Sequence, residues 1–171
     1  MTKIVILSDS HDNLPVIRKA LPYIKEINPD FIIHAGDIIS PFTLKLFKEV
    51  KKKFYGVFGN NDGEKILLLK IAHDLGFTIR EQPLFINTGN YKIVVIHGID
   101  GKEETKKFVR ALAKSKEFDL VVYGHIHEID VSTINGVLIV NPGELSGYLT
   151  GKSTFAIVDL NEKKVEIKEI T

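Results

Sequence analysis

Three apolar runs in the first sixty residues constrain the fold most. "KIVILS" (Lys3 to Ser8), "FIIHA" (Phe31 to Ala35) and "FYGVF" (Phe54 to Phe58) read as buried strands. Each is followed by a stretch with helical apolar spacing: "VIRKALPYIKEI", "FTLKLFKEVKK" and "EKILLLKIAHDL". Parallel neighbours need a crossover longer than a hairpin, and a helix supplies it. The β-α-β-α-β-α order therefore implies a parallel sheet with helices packed on it. Asn13 and Pro15 mark the first helix start, and Pro22 interrupts that helix. Ser40-Pro41 forms an N-cap and first-turn pair for the second helix, and Gly76 stops the third.

The second half is richer in strands. "LFIN", "KIVVIH", "LVVYGH", "VSTI", "VLIVN", "STFAIVDL" and "KVEIKEI" all fit, with one helix, "KEETKKFVRALAKS", opened by a capping box from Asp100 to Glu103. Asn135-Gly136 signals a two-residue hairpin, and Asn161-Glu162 a second hairpin. No Pro/Gly/Ser linker divides the chain. The expected class is α/β: two packed mixed β-sheets flanked by helices, a four-layer α-β-β-α sandwich, as a single domain over residues 1–171.

Composition excludes several functions. The formal net charge of +1 gives no electrostatic case for an acidic partner or surface. The densest basic run, Lys51 to Lys53, reads as a solvated helix end. The absence of cysteine rules out disulfides and thiolate metal sites. No apolar run approaches the ~18 residues of a membrane span. The default expectation is a soluble, cytoplasmic protein without membrane contact.

Five strand runs end in residues that can bind metal. They lead to Asp9-Ser10-His11, Gly36-Asp37, Gly59-Asn60, His97-Gly98 and Gly124-His125-Ile126-His127. Sites in parallel sheets form at the carboxyl ends of the strands, so these loops should meet. In extended chain, residues i and i+2 point to one side, so Asp9/His11 and His125/His127 each aim two ligands into one space. Any one block has a plain reading: a turn, a helix cap or a core histidine. The joint pattern is more specific, because it uses four of the six histidines. Imidazole, carboxylate and amide oxygen suit Mn, Fe, Co, Ni or Zn. Seven candidates exceed one tetrahedral ion and fit two ions sharing Asp37. His34, inside a strand, and His73, inside a helix, read as structural.

The ordered blocks Asp-x-His, Gly-Asp, Gly-Asn, a later His and Gly-His-x-His resemble the signature of the calcineurin-like metallophosphoesterase superfamily. The stretch "NPGELSGYLTGKSTFAIVDL" is similar to the C-terminal part of its small YfcE-type phosphodiesterases. The resemblance implies a β-sandwich flanked by helices and a binuclear centre, with Mn or Ni as the usual metals and Fe, Co or Zn in some members. One ion would take Asp9, His11, Asp37 and His127; the other would take Asp37, Asn60, His97 and His125. Asp37, Asn60 and His97 would carry catalysis, and Asn60, Asn61 and His97 would meet the substrate. The implied reaction is hydrolysis of a small-molecule phosphodiester by a hydroxide bridging the two ions, with a homodimer as the family-level assembly.

Two positions depart from common family patterns. Many phosphomonoesterase relatives carry a proton-donating His where Asn61 stands, and an amide cannot act as a general acid near neutral pH. Glu144 occupies the place of a Ser in many "NPGS" loops. "TGKST" (Thr150 to Thr154) lacks the upstream Gly of a P-loop, whose place is taken by Ser146. The rival readings are an interaction scaffold of the same fold, as in a retromer subunit, a phosphomonoesterase, and a nuclease acting on nucleic acid. The loop "GNNDG" supplies Asn60, while Asp62 and Gly63 are expected to start the next helix.

Overall fold

Period-two alternation of apolar residues sorts the sheets into layers. The computed structural model describes residues 2–170. In chain order the elements are β1 (Lys3–Leu7), α1 (Leu14–Ile27), β2 (Phe31–His34), α2 (Pro41–Phe47), β3 (Lys53–Val57), α3 (Lys65–Leu75), β4 (Thr78–Arg80), β5 (Leu84–Asn87), β6 (Lys92–Val95), α4 (Lys102–Ser115), β7 (Leu120–Val122), β8 (Ile129–Ile134), β9 (Val137–Pro142), β10 (Ser153–Asp159) and β11 (Lys164–Ile170). Along β1, Ile4 and Ile6 face a core shared with Ile93, Val95, Leu120 and Val122 of the second sheet. Val5 and Leu7 point the other way, into a core with Ile17, Ile24, Leu44 and Leu68 of the helices. Val94 and Val121 likewise turn outward onto Val109 and Ala113 of α4. Both faces of each sheet are thus covered, so the central strands are apolar throughout rather than alternating with polar residues.

One sheet has the order β11-β10-β1-β2-β3-β4 and the other β5-β6-β7-β9-β8. β1 to β4 are parallel, and β10 and β11 add antiparallel strands. The second sheet has a parallel centre, β6-β7-β9, with antiparallel edges. This is the expected four-layer arrangement of two mixed sheets between helices.

Local departures have tertiary causes. β4 was not expected; its three residues carry no periodic signal, and its strand state rests on pairing with β3. α2 stops at Phe47 rather than running to Lys52. A single 3-10 turn follows, burying Val50, and a left-handed Lys51 (φ 56°) sends the chain into β3. Pro22 stays inside α1 on its exposed side, where water can satisfy the freed carbonyl. The Asp100–Glu103 capping box does not form: Gly101 is the N-cap, without a side-chain cap bond. The Asn135-Gly136 hairpin forms, with both residues at positive φ as a two-residue turn requires.

Candidate metal centre

The seven sequence-predicted ligands come together at one end of the sandwich. They leave the carboxyl ends of β1, β2, β3, β6 and β7. Backbone bonds stitch these loops together: Asp9 N–H donates to Gly36 O (3.0 Å), His11 N–H to Asp37 O (3.1 Å), and Gly124 N–H to His97 O (2.9 Å). Extended geometry does not aim the ligands. Asp9, His11, Asp37, His125 and His127 all have positive φ, between 42° and 70°. Left-handed backbone is unfavourable for such residues and persists where the surroundings enforce it, often at functional sites. Two glycines allow the close approach. A Cβ on Gly59 would lie 2.2 Å from Asp37 Oδ1, and one on Gly124 would lie 2.0 Å from Ser8 Oγ.

Around Asp9 Oδ1, His127 Nε2 lies at 3.5 Å and His11 Nε2 at 3.9 Å. Around Asp37 Oδ2, His11 Nε2 and His97 Nε2 both lie at 3.5 Å. Asn60 Oδ1 lies 2.9 Å from His97 Nε2 and 2.9 Å from His125 Nδ1. Three of the four histidines have their other ring nitrogen engaged. His97 Nδ1 faces Ala35 O (2.8 Å), His125 Nε2 faces Asp100 O (2.7 Å), and His127 Nδ1 faces the Glu144 carboxylate (2.9 Å). These groups can accept a hydrogen bond from the ring N–H, which in the neutral ring leaves a lone pair on the nitrogen that points into the site.

This donor set fits divalent metal. Asp9 Oδ1 and His11 Nε2 are buried without a hydrogen-bond partner. The lone pairs of His97, His125 and Asn60 face one another, an arrangement that a cation reconciles. Asp9, His11 and His127 form one group and Asp9, Asp37 and His97 another, with the ligand atoms of each within 4.8 Å of one another. Burial pushes the Asp9 carboxyl up, beyond what His97, His127 and Ser8 return. Burial also opposes ionisation of Asp37, but His97 and Asn61 outweigh it and hold Asp37 below the usual carboxylate range. His97 is pulled down by burial, yet Asp37 and Asp9 raise it above the ordinary imidazole value.

Asn61 is exposed, with its amide and backbone N–H both donating to Asp37 (2.8 and 2.9 Å). Asp62 does not start α3. It is buried, and its carboxylate accepts from the N–H groups of Asp37 (3.0 Å), Ile39 (2.6 Å) and Gly59 (2.7 Å), joining the Gly-Asp loop to the Gly-Asn loop. Burial raises its pKa despite those bonds. Glu144, whose role the sequence left open, is also fully buried. Burial opposes its ionisation, but the Thr150 N–H, Ser146, His127 and the Thr150 hydroxyl bring its pKa down to about 2. Neither role carries a sequence signal beyond an acid in a Gly-rich loop. His34 lies buried in β2: its Nε2 contacts Ser10 Oγ (3.0 Å), its Nδ1 has no hydrogen-bond partner, and burial lowers its pKa to about 3. His73 is exposed on α3 and plays no part in the site.

A cleft of about 470 Å³ opens beside His97, Asn60 and His125, with Lys65, Glu81 and Gln82 on its walls. Lys51 to Lys53 lie at the opposite end of β3 from Asn60. Among the described residues, no helix is long and apolar enough to cross a membrane.

Known proteins share the fold and, in part, the sequence. The calcineurin-like phosphoesterase superfamily domain matches residues 2–163. Phosphodiesterase MJ0936 of Methanocaldococcus jannaschii is 36% identical over 169 residues, covering 98% of either chain. A solved structure of an archaeal phosphodiesterase superposes with a TM-score of 0.89 at 34% identity, covering 98% of this chain and 99% of that one. The E. coli phosphoesterase Yfce superposes with a TM-score of 0.70 at 20% identity over 99% of this chain and 100% of its own, a likeness of fold alone. The chain therefore belongs to the calcineurin-like phosphoesterase superfamily.

Proposed function

We propose that this protein is a metal-dependent phosphodiesterase that hydrolyses small-molecule phosphodiesters with two divalent ions. The observation that carries this reading is the donor set itself. Asp9, His11, Asp37, Asn60, His97, His125 and His127 gather oxygen and nitrogen donors at one end of the sandwich, and Asp9 Oδ1 and His11 Nε2 there have no hydrogen-bond partner. One ion is assigned to Asp9, His11, Asp37 and His127, and the other to Asp37, Asn60, His97 and His125. Oxygen and nitrogen donors without thiolate suit Mn, Fe, Co, Ni or Zn, and the family resemblance puts Mn or Ni first. Such a pair, when bound, would supply a hydroxide nucleophile at neutral pH and neutralise phosphoryl charge.

The chain supplies the rest. Ser8 and Ser10 are the hydroxyls nearest the ligands, but both are buried and hydrogen-bonded, Ser8 to Asp9 and Ser10 to the Asp37 carbonyl. Both are buried away from the cleft lining, so the reading takes water as the nucleophile and requires no covalent enzyme intermediate. Asn60 and His97 stand where the cleft meets the metal-binding groups and orient the phosphoryl group. A cleft of this size suits a small-molecule ester. The lysine run lies at the far end of β3, which disfavours a nuclease. The intact donor set favours catalysis over a scaffold.

Stripping metal with a chelator should abolish hydrolysis of an activated phosphodiester, and Mn or Ni should restore it. If neither metal restores activity, the enzyme reading is wrong. Asn61 cannot protonate a poor leaving group, which tilts the site toward diesters over monoesters. Asn61→His should therefore raise monoester hydrolysis relative to diester hydrolysis; an unmoved ratio of the two kcat/KM values would remove this account.

A further inference from the structure

Glu144 lies outside the metal-binding groups, yet its carboxylate is wholly occupied and without solvent exposure. Its Oε1 accepts from the N–H groups of Leu149 (2.9 Å) and Thr150 (2.5 Å) and from the Thr150 hydroxyl (2.7 Å). Its Oε2 accepts from Ser146 Oγ at 2.7 Å and lies 2.9 Å from His127 Nδ1. Backbone N–H groups can only donate, so Oε1 acts purely as an acceptor. With Ser146 donating to Oε2, the remaining partner, His127 Nδ1, donates as well.

His97 and His125 fix their ring protons on backbone carbonyls, Ala35 O and Asp100 O. His127 instead relies on a side chain, and so its tautomer is open to mutation. We infer that Glu144 is a positioning residue: it holds the proton of His127 on Nδ1 and so keeps the lone pair of Nε2 aimed beside Asp9 Oδ1. The same carboxylate gathers the turn from Ser146 to Thr150, and Leu145 and Ser146 N–H donate to the carbonyls of Ser8 and Asp9. This turn and the loop carrying Asp9 are therefore held as one unit around His127. The inference rests on the metal-binding reading of the site.

Glutamine has nearly the same shape but cannot serve both sides. With its oxygen toward Leu149 and Thr150, its NH2 group donates into His127 Nδ1 and moves the ring proton to Nε2. With its oxygen toward His127, its NH2 group opposes two backbone N–H donors. The experiment uses the full chain labelled with 15N-histidine, free of metal and at mildly alkaline pH. Long-range 1H–15N spectra should show His127 of the wild type as the Nδ1–H tautomer and His127 of E144Q shifted toward Nε2–H. Titration with Mn alone should show E144Q binding about 10–100-fold more weakly, the usual loss for a partner that orients a metal-binding histidine. Wild-type His127 found as Nε2–H overturns the inference whether or not the variant folds. Tight Mn binding by the wild type with unchanged affinity in E144Q overturns it while leaving the phosphodiesterase reading intact. A wild type that binds no Mn overturns both.

Discussion

Asp37→Asn is expected to abolish phosphodiester hydrolysis while the protein stays folded. Asp37 lies within 3.5 Å of both His11 Nε2 and His97 Nε2, and Asn61 donates to both of its oxygens. The proposed function gives it to both ions, and on that reading its loss weakens both. Removing a partner that only orients a ligand costs about 10–100-fold in metal affinity or activity, and losing a shared ligand should exceed the upper figure. An asparagine also sets its NH2 group against the donors of Asn61. Folding without metal should suffer little, because Asp37 is one of four buried carboxylates and its charge adds to the burial that raises the pKa of Asp9. The checks are kcat, bound Mn per chain and the circular dichroism spectrum. Activity within tenfold of the wild type, at equal protein and metal, would remove Asp37 from the centre of the mechanism.

Asp62→Ala should be strongly destabilising although it lies outside the apolar cores. Its carboxylate takes three backbone N–H groups, from Asp37, Ile39 and Gly59, which leave two different strands. No nearby side chain replaces it, and each buried donor left without a partner costs about 1–3 kcal/mol. Burying the Asp62 charge is itself costly, as its raised pKa shows, and the alanine recovers part of that cost. A net loss of about 3 kcal/mol, or roughly 6–12 °C in Tm for a chain of this size, is expected. Mn affinity should fall with it, because Asp37 and Asn60 lose the clamp between their loops. An unchanged Tm with intact Mn binding would show that the two loops hold their places without Asp62.

The layers of the fold were legible in the sequence because local and tertiary demands agree there. "KIVIL" and "LVV" are apolar on both faces, and the structure places a core on both faces. The ends of those runs were legible for the same reason: where burial stops, the residue type changes abruptly, and Asp, Asn and His stand out against the apolar strands. The edge strand β4 was not legible, since three residues are too few to show a period and its pairing with β3 defines it. Asp100 read as half of a capping box, whereas its carbonyl serves His125 across a separation of 25 residues. Asp62 read as a helix-start residue, whereas its partner Asp37 lies 25 residues upstream.

The sequence by itself determined the candidate ligands and, within each parallel sheet, the end at which they lie: Asp9, Asp37 and Asn60 in one sheet, His97 and His125 in the other. The packing of the two sheets brings these sets together. Only the tertiary structure decided how each of them is held. The backbone bonds that hold the left-handed Asp9 and His11 against the Gly36-Asp37 loop, the carbonyls beside the ring nitrogens of His97 and His125, and the Glu144 carboxylate beside His127 are all contacts between separate loops. A side chain's identity is local, but the atom that accepts its proton is supplied by whatever the fold brings within 3 Å, and the residue types at each strand end do not name it.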